Sequence, residues 1–211
     1  MTLDSPTGLL VLHAVRLNGY ADTPAIAERF GFGETETKEE LLDAEARGWV
    51  ERTVFGGTGG WSLTDAGRAA DERLLAAELT RAGGGDEVRA IYREFMPLNA
   101  LLLRACTDWQ LRPTADDRLA TNDHTDPAWD AAALATLDAV EQGLGPLVER
   151  LTGVLSRFGG YDTRFGAALA RARAGDGAWV DRMHVDSCHR VWFQLHEDLI
   201  ATLGIDRHRE P

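Results

Sequence analysis

The sequence predicts a mainly α protein in which three helices and a small β-hairpin come first and an all-α helical bundle follows. Strand character is confined to residues 49–63, whereas apolar residues at helical spacing recur before and after that stretch. The run Gly83-Gly84-Gly85 resists both helix and strand. We therefore expect two domains, residues 1–82 and residues 86–211.

The first eighty residues predict the order helix, helix, turn, helix, strand, glycine-rich tip, strand, helix. Asp22 or Thr23 is expected to cap the second helix, Gly48 to end the third and Thr64 to cap the fourth. In the third helix, Leu41, Leu42 and Ala44–Ala46 are expected to face the core. The predicted elements are helices at Thr7–Asn18, Pro24–Phe30 (with Pro24 at the first helical position), Glu34–Arg47 and Thr64–Arg81, and strands at Trp49–Phe55 and Trp61–Leu63 around the tip Gly56–Gly60. This is the order of a winged helix-turn-helix.

The second half shows helical spacing only. A long loop is expected at Asp108–His124. Pro97 is expected to kink or interrupt the first predicted helix of this half, Asp86–Leu103. The predicted helices are Asp86–Leu103, Pro127–Gln142, Pro146–Phe158, Tyr161–Ala174 and Gly177–Leu203.

The composition is acidic, with a formal net charge of -12 over 211 residues. Residues 1–85 hold 14 acids and 8 bases, so no basic region is available there for nucleic acid. Cys106 and Cys188 are far apart and outside any CxxC pattern, as is typical of reduced thiols. We find neither a signal peptide nor a membrane span in the sequence, and expect a cytoplasmic protein without a membrane partner.

Two segments carry a family resemblance. Leu41–Arg52 has a leucine pair, an acid, a glycine and an acid-arginine exit, and Gly59–Arg68 follows with aromatic-x-Leu-Thr-x-x-Gly-Arg. Together they resemble the MarR-type winged-helix transcriptional regulators. The resemblance implies a homodimer in which Glu34–Arg47 enters the major groove of double-stranded DNA and Gly56–Gly60 approaches the minor groove.

The predicted recognition helix departs from that family in its charge. It carries six acids against Lys38 and Arg47, and the wing tip has no arginine or lysine. Residues that could still reach DNA are Thr35, Thr37, Lys38, Arg52 and Thr58. The alternative is a non-DNA-binding adaptor that regulates a partner enzyme through its acidic winged helix.

A polar cluster near the C-terminus predicts a small-ligand pocket in the helical domain. On one continuous helix Asp186, His189, Phe193, His196 and Ile200 would share a stripe, with Trp192 beside it. The expected ligand-binding residues are Trp109, Arg112, His124, Asp186, His189, Trp192 and His196. A ligand held between the 109–124 loop and the 186–196 stripe would change the spacing of two winged helices in the dimer. Alternatively, the aromatic residues are core and the histidines are satisfied interior or boundary residues. The helical domain could also mediate dimerisation instead of binding a ligand.

The sequence predicts no cofactor and no metal. His189 and His196 would lie about 10 Å apart along a helix, too far to share one ion. His184 and Cys188 have workable spacing without an evident third ligand. No nucleophile elbow or phosphate-binding glycine loop is present. An enzyme that uses Asp186, His189, His196 and Arg112 remains a third interpretation.

Overall fold

The computed structural model describes residues 2–55 and 58–205, apart from the side chains of Phe55 and Thr58. These residues form two compact units. The first contains the described residues of Met1–Asp86, Val154–Arg157 and His196–Pro211, and the second contains Glu87–Gly153 and Phe158–Leu195.

The first unit has the predicted order of helices around a hairpin. Its elements are α1 (Thr7–Asn18), α2 (Thr23–Phe30), α3 (Glu34–Ala46), β1 (Val50–Phe55), β2 (Thr58–Leu63) and α4 (Asp65–Ala82). The two strands are antiparallel, with Val50 opposite Leu63 and Arg52 opposite Trp61. An isolated bridge joins Ala21, between α1 and α2, to Trp61. The predicted fold class, mainly α with a β-hairpin wing, is confirmed.

Local capping sets the ends of these helices. Asp22 accepts a hydrogen bond from the Ala25 amide at 3.0 Å, and Thr64 Oγ1 accepts one from the Gly67 amide at 3.0 Å. Gly67 has a second role, because a Cβ atom added there would lie 1.7 Å from the Trp49 carbonyl oxygen. Gly48 has a φ of 69°, which a glycine adopts without strain, and it turns the chain from α3 into β1.

The core of the first unit lies between the helices and the sheet. Its buried apolar residues are Val11, Leu12, Ala14, Val15, Ile26, Leu41, Ala44, Val50, Trp61 and Ala70. Leu42 and Ala46 are exposed, so the expectation that they face the core is wrong. The inward stripe of α3 passes through Thr37, Leu41 and Ala44, and at 100° per residue Leu42 and Ala46 fall outside it.

Five helices follow within the described residues, and several of their boundaries differ from the prediction. They are α5 (Gly85–Gln110), α6 (Pro127–Val154), α7 (Tyr161–Arg173), α8 (Ala178–Asp181) and α9 (Cys188–Leu203), with a 3-10 turn at Ser156–Phe158. Pro97 lies inside α5 without ending it, and Pro146 lies inside α6, which joins two predicted helices. Leu144, Leu147 and Val148 are buried around Pro146. A continuous apolar face thus offsets the one backbone hydrogen bond that proline cannot make.

The predicted helix Gly177–Leu203 is interrupted. Arg182 is extended, with φ −72° and ψ 133°, and α9 begins only at Cys188. The Ser187 hydroxyl accepts a hydrogen bond from the Arg190 amide at 3.2 Å, which is the local signal for this start. Asp186 therefore precedes α9 and cannot share a helical stripe with His189.

The last helix contributes to both compact units. Residues 188–195 belong to the second, whereas residues 196–203 belong to the first. The first boundary between the two units, after Asp86, lies next to the boundary predicted at Gly83–Gly85. The predicted domain of residues 86–211 nevertheless differs from the second unit, because two later segments return to the first.

Candidate functional site

The exposed side of α3 is the candidate nucleic-acid interface of the first unit. Thr35, Lys38 and Glu39 are exposed there, as the prediction of Thr35 and Lys38 as DNA contacts requires. Thr37 is 0% exposed and lies on the inward stripe, so the prediction that it reaches DNA is wrong. The helical period explains the difference, because Thr37 lies 100° from Lys38 and 200° from Thr35.

The wing supplies one exposed cation among its described residues. Arg52 on β1 is exposed, and its guanidinium carbon lies 5.8 Å from the ring centroid of Trp61. Tyr20 covers the same hairpin: its hydroxyl donates to the Thr53 carbonyl oxygen at 3.1 Å. The Thr58 side chain and the tip residues Gly56 and Gly57 lie outside the described residues, so the predicted DNA contact at Thr58 stays a prediction.

The surface of α3 combines carboxylates with one large apolar side chain. Leu42 is 47% exposed, and the exposed residues near it on the helix include Glu39, Asp43 and Glu45. Arg47 lies 3.9 Å from the Asp43 carboxylate and 5.1 Å from the centroid of the Trp49 ring. Such a face repels phosphate everywhere except near its few cations.

The second unit contains an open cleft of about 900 Å³ between α5, α6, α7 and α8. This volume lies within the range of small-molecule sites. The cleft is lined by Trp109, Gln110, Thr121, Asn122, His124, Pro127, Asp130, Ala131, Leu134, Ala172, Arg173, Gly175, Gly177, Ala178, Asp181 and Arg182. Two of the predicted ligand-binding residues, Trp109 and His124, are thus among its lining residues.

A hydrogen-bonded group holds His124 at the cleft. Its Nδ1 atom lies 3.0 Å from the Asp130 carboxylate, and its ring centroid lies 4.6 Å from that of Trp109. The buried Asn122 amide donates to Asp130 at 2.8 Å and to the Trp109 carbonyl oxygen at 3.0 Å. With the carboxylate engaging Nδ1, the neutral ring carries its proton on Nδ1 and leaves Nε2 as an acceptor. Asn122 and Asp130 were not predicted as site residues.

Arg112 has a structural partner. Its guanidinium donates to the Asp126 carboxylate at 2.6 Å, and Asp126 also accepts from the amides of Ala128 and Trp129 at the start of α6. The salt-bridged Arg112 thus fixes the end of the loop, where Asp126 caps α6. The Leu111–Thr121 bridge closes the same loop. Arg112 does not line the cleft.

The predicted residues near α9 lie apart from the cleft lining. Asp186 forms a bidentate pair with Arg164, at 2.8 and 2.6 Å, and His189 is half-buried. Trp192 is a core residue that stacks on Phe95 at 4.6 Å between centroids. His196 is half-buried and belongs to the first unit. None of the four residues proposed for an enzyme lines the cleft, and two of them, Asp186 and Arg112, are paired with other side chains.

A buried ionic network in the first unit was not predicted. His13 lies between two carboxylates, with Nδ1 3.2 Å from Asp71 and Nε2 3.1 Å from Asp198. Arg157 pairs with Asp198 and, at 2.9 Å, with Glu78. All five side chains are 0% exposed. The network connects α1, α4, the 3-10 turn and α9, which explains why residues 154–157 and 196–203 belong to the first unit.

Charge–charge contacts shift the pKa values in this network. Burial alone lowers the pKa of His13, but the carboxylates of Asp71 and Asp198 raise it above its ordinary value. Burial raises the pKa of Asp198, yet the Arg157 and His13 charges outweigh burial and hold it far below its ordinary range. These residues stabilise the fold and are not exposed to a ligand.

Neither a metal centre nor a membrane span is found in the described part of the chain. Within residues 2–55 and 58–205, no group of three histidines, cysteines or carboxylates is placed to hold a metal ion. No helix of the same residues is long and apolar enough to cross a bilayer.

Comparisons of the chain with protein-family models, with curated proteins and with solved structures find no significant match. The resemblance to MarR-type regulators therefore stays a prediction that rests on the residues quoted above.

Proposed function

We propose that the chain is a transcription regulator whose winged helix binds double-stranded DNA and whose helical unit binds a small effector in the cleft. The observation that carries this proposal is the helix–hairpin order of the first unit with Thr35, Lys38 and Arg52 all exposed. In a winged helix these positions belong to the recognition helix and the wing, the two elements that contact DNA grooves and phosphates.

The acidic surface limits how such a protein can bind. Lys38 and Arg52 displace few counterions, so a single winged helix gains little affinity from phosphates. Binding as a homodimer doubles these contacts and imposes a half-site spacing. An effector in the cleft would then act by changing the spacing of the two winged helices, which lowers affinity for the paired half-sites.

The test is fluorescence anisotropy with a duplex from the upstream region of the protein's own coding sequence, at low salt. Lys38→Glu and Arg52→Glu should each weaken binding and make it less salt-dependent, because each removes a phosphate contact. Arg93→Glu, an exposed arginine of α5, is the matched control and should leave binding unchanged. Equal affinity for all three variants would contradict the proposal.

A second candidate is an adaptor that binds a basic surface of a partner enzyme through α3. The exposure of Leu42 among Glu39, Asp43 and Glu45 favours it, since an apolar centre with a charged rim is typical of protein interfaces. This candidate predicts no duplex binding at micromolar protein, and a partner interaction that Leu42→Ser weakens and Lys38→Glu does not.

A further inference from the structure

We propose that the cleft of the second unit binds a zwitterion, specifically an α-amino acid with an apolar side chain. The proposal rests on the effector role suggested for the cleft and names the chemistry of that effector. Its basis is a pair of opposite charges, Asp181 and Arg182, that line the cleft without an ionic partner in the described residues.

The other charged residues that line the cleft are paired. Arg173 pairs with Asp138, and His124 lies 3.0 Å from the Asp130 carboxylate. Asp181 instead accepts a hydrogen bond at 2.6 Å from the neutral amide of Gln110, which leaves its charge uncompensated. Arg182 is exposed, and no carboxylate of residues 2–55 or 58–205 pairs with it.

Asp181 and Arg182 do not neutralise each other, because successive side chains point in different directions. Asp181 is the last residue of α8, and Arg182 is already extended, with a ψ of 133°. The cleft wall therefore presents a carboxylate and a guanidinium separately. A ligand that carries both an ammonium and a carboxylate group matches them, and a guanidinium can bind a carboxylate with two parallel hydrogen bonds.

The rest of the lining is suited to an apolar side chain. Trp109 is held in place, because its ring packs against the tilted ring of His124 and a Cβ atom added at Gly177 would lie 2.9 Å from it. The further apolar lining residues are Pro127, Ala131, Leu134, Ala172 and Ala178. A volume of about 900 Å³ accommodates an amino acid with a large side chain together with bound water.

The experiment is isothermal titration of the full chain with three matched probes. L-phenylalanine carries both charges, phenethylamine lacks the carboxylate, and 3-phenylpropanoate lacks the ammonium group. We expect L-phenylalanine to bind and each single-charge analogue to bind about tenfold more weakly or worse, as loss of one ionic contact implies. Asp181→Asn and Arg182→Gln should each weaken L-phenylalanine binding by a similar factor.

Asp176→Asn and Arg93→Gln are the controls, since both residues are exposed and neither lines the cleft. The zwitterion proposal is overturned if either analogue binds as tightly as L-phenylalanine, or if the cleft variants bind L-phenylalanine as tightly as the control variants do. It is also overturned if L-phenylalanine and L-leucine both fail to bind at 10 mM, which is about the weakest affinity that such a site would show. Fluorescence anisotropy with duplex DNA in the absence of any amino acid tests DNA binding separately. Failure of the zwitterion proposal can therefore be distinguished from failure of the regulator proposal.

Discussion

His13 is a buried histidine with a carboxylate on each side of its ring. Asp71 and Asp198 lie at 3.2 and 3.1 Å from its two nitrogens, and Arg16 and Arg157 pair with the same carboxylates. A protonated ring forms ion pairs with both carboxylates, whereas a neutral ring carries no charge and has a proton on only one nitrogen. The protonation of a single side chain therefore contributes to the stability of the first unit.

The first prediction concerns pH. The pKa of His13 is raised on folding from 6.5, so its stabilising contribution is complete below pH 6.5 and is lost as the pH rises through the folded-state pKa. We expect the free energy of unfolding of the first unit, measured with urea, to fall as the pH rises above 6.5. His13→Gln should remove this dependence, while His184→Gln, at an exposed position, should retain it. A wild-type profile that is flat or rises above pH 6.5 would contradict this account.

The second prediction concerns the cysteines, both of which are buried. Burial raises the pKa of Cys106 and of Cys188 to about 12, so the reactive thiolate is rare at pH 8. In the native protein we expect neither thiol to react with a disulfide reagent within minutes at pH 8. Both should react once urea unfolds the chain. Rapid modification of one thiol in the native state would show that its surroundings are open to solvent.

Some residue roles could be predicted from sequence and others could not, for a physical reason. Asp22, Gly48 and Thr64 act on their immediate neighbours, so the local pattern reveals them. His13 acts through residues that are distant along the chain, and no local pattern indicates that they meet. A histidine and an arginine on the apolar face of the first helix, His13 and Arg16, were the one available signal.

At the scale of elements, α3 shows what periodicity can predict. Its limits differ from the prediction by one residue at the C-terminal end, and Leu41 and Ala44 face the core as expected. The prediction placed Leu42 in the core and Thr37 on the DNA side, and the structure shows the reverse, because an acidic helix with few apolar residues has a weak amphipathic pattern. In the cleft, Trp109 and His124 were predicted, whereas Asp181 and Arg182 were assigned to the interior of a long helix.

The third prediction concerns the connection between α4 and α9. Arg157 bonds Glu78 of α4 as well as Asp198 and Thr202 of α9, and all are buried. Arg157→Met keeps the apolar stem but removes the cation that pairs with Glu78 and Asp198, and of these two carboxylates Asp198 retains His13. We expect it to lower the free energy of unfolding by about 3–5 kcal/mol, as measured in urea.

The same substitution at an exposed arginine controls for the change from arginine to methionine itself. Arg93→Met at an exposed position of α5 should change the stability by less than about 0.5 kcal/mol. If Arg157→Met is as stable as Arg93→Met, the buried pairs do not contribute as described.

At the scale of the whole molecule, the first unit depends on three separate segments of the chain. Residues 1–86 hold Asp71 and Glu78, while Arg157 and Asp198 come from segments far along the chain. Composition and the glycine run at residues 83–85 predicted two consecutive domains, residues 1–82 and 86–211, since such signals indicate where helices end. They cannot indicate which later segments return to an earlier unit.

The fourth prediction follows from this arrangement. A fragment of residues 1–86 should unfold at a lower urea concentration than the first unit of the full chain, because Glu78 loses its buried cation. Glu78→Leu in the fragment removes the uncompensated carboxylate and should recover part of the stability. A fragment as stable as the full chain, with no gain from Glu78→Leu, would show that residues 1–82 form an independent domain.

The central claim is that an acidic winged helix binds duplex DNA through very few cations. The most direct test is the DNA affinity of the full chain as a function of salt concentration. With Lys38 and Arg52 from each protomer of a dimer, about four phosphates are neutralised, and the plot of log K against log salt should have a slope of about −3 to −4. Absence of duplex binding at micromolar protein and low salt, or a slope near zero, would contradict the regulator while leaving the fold unchanged.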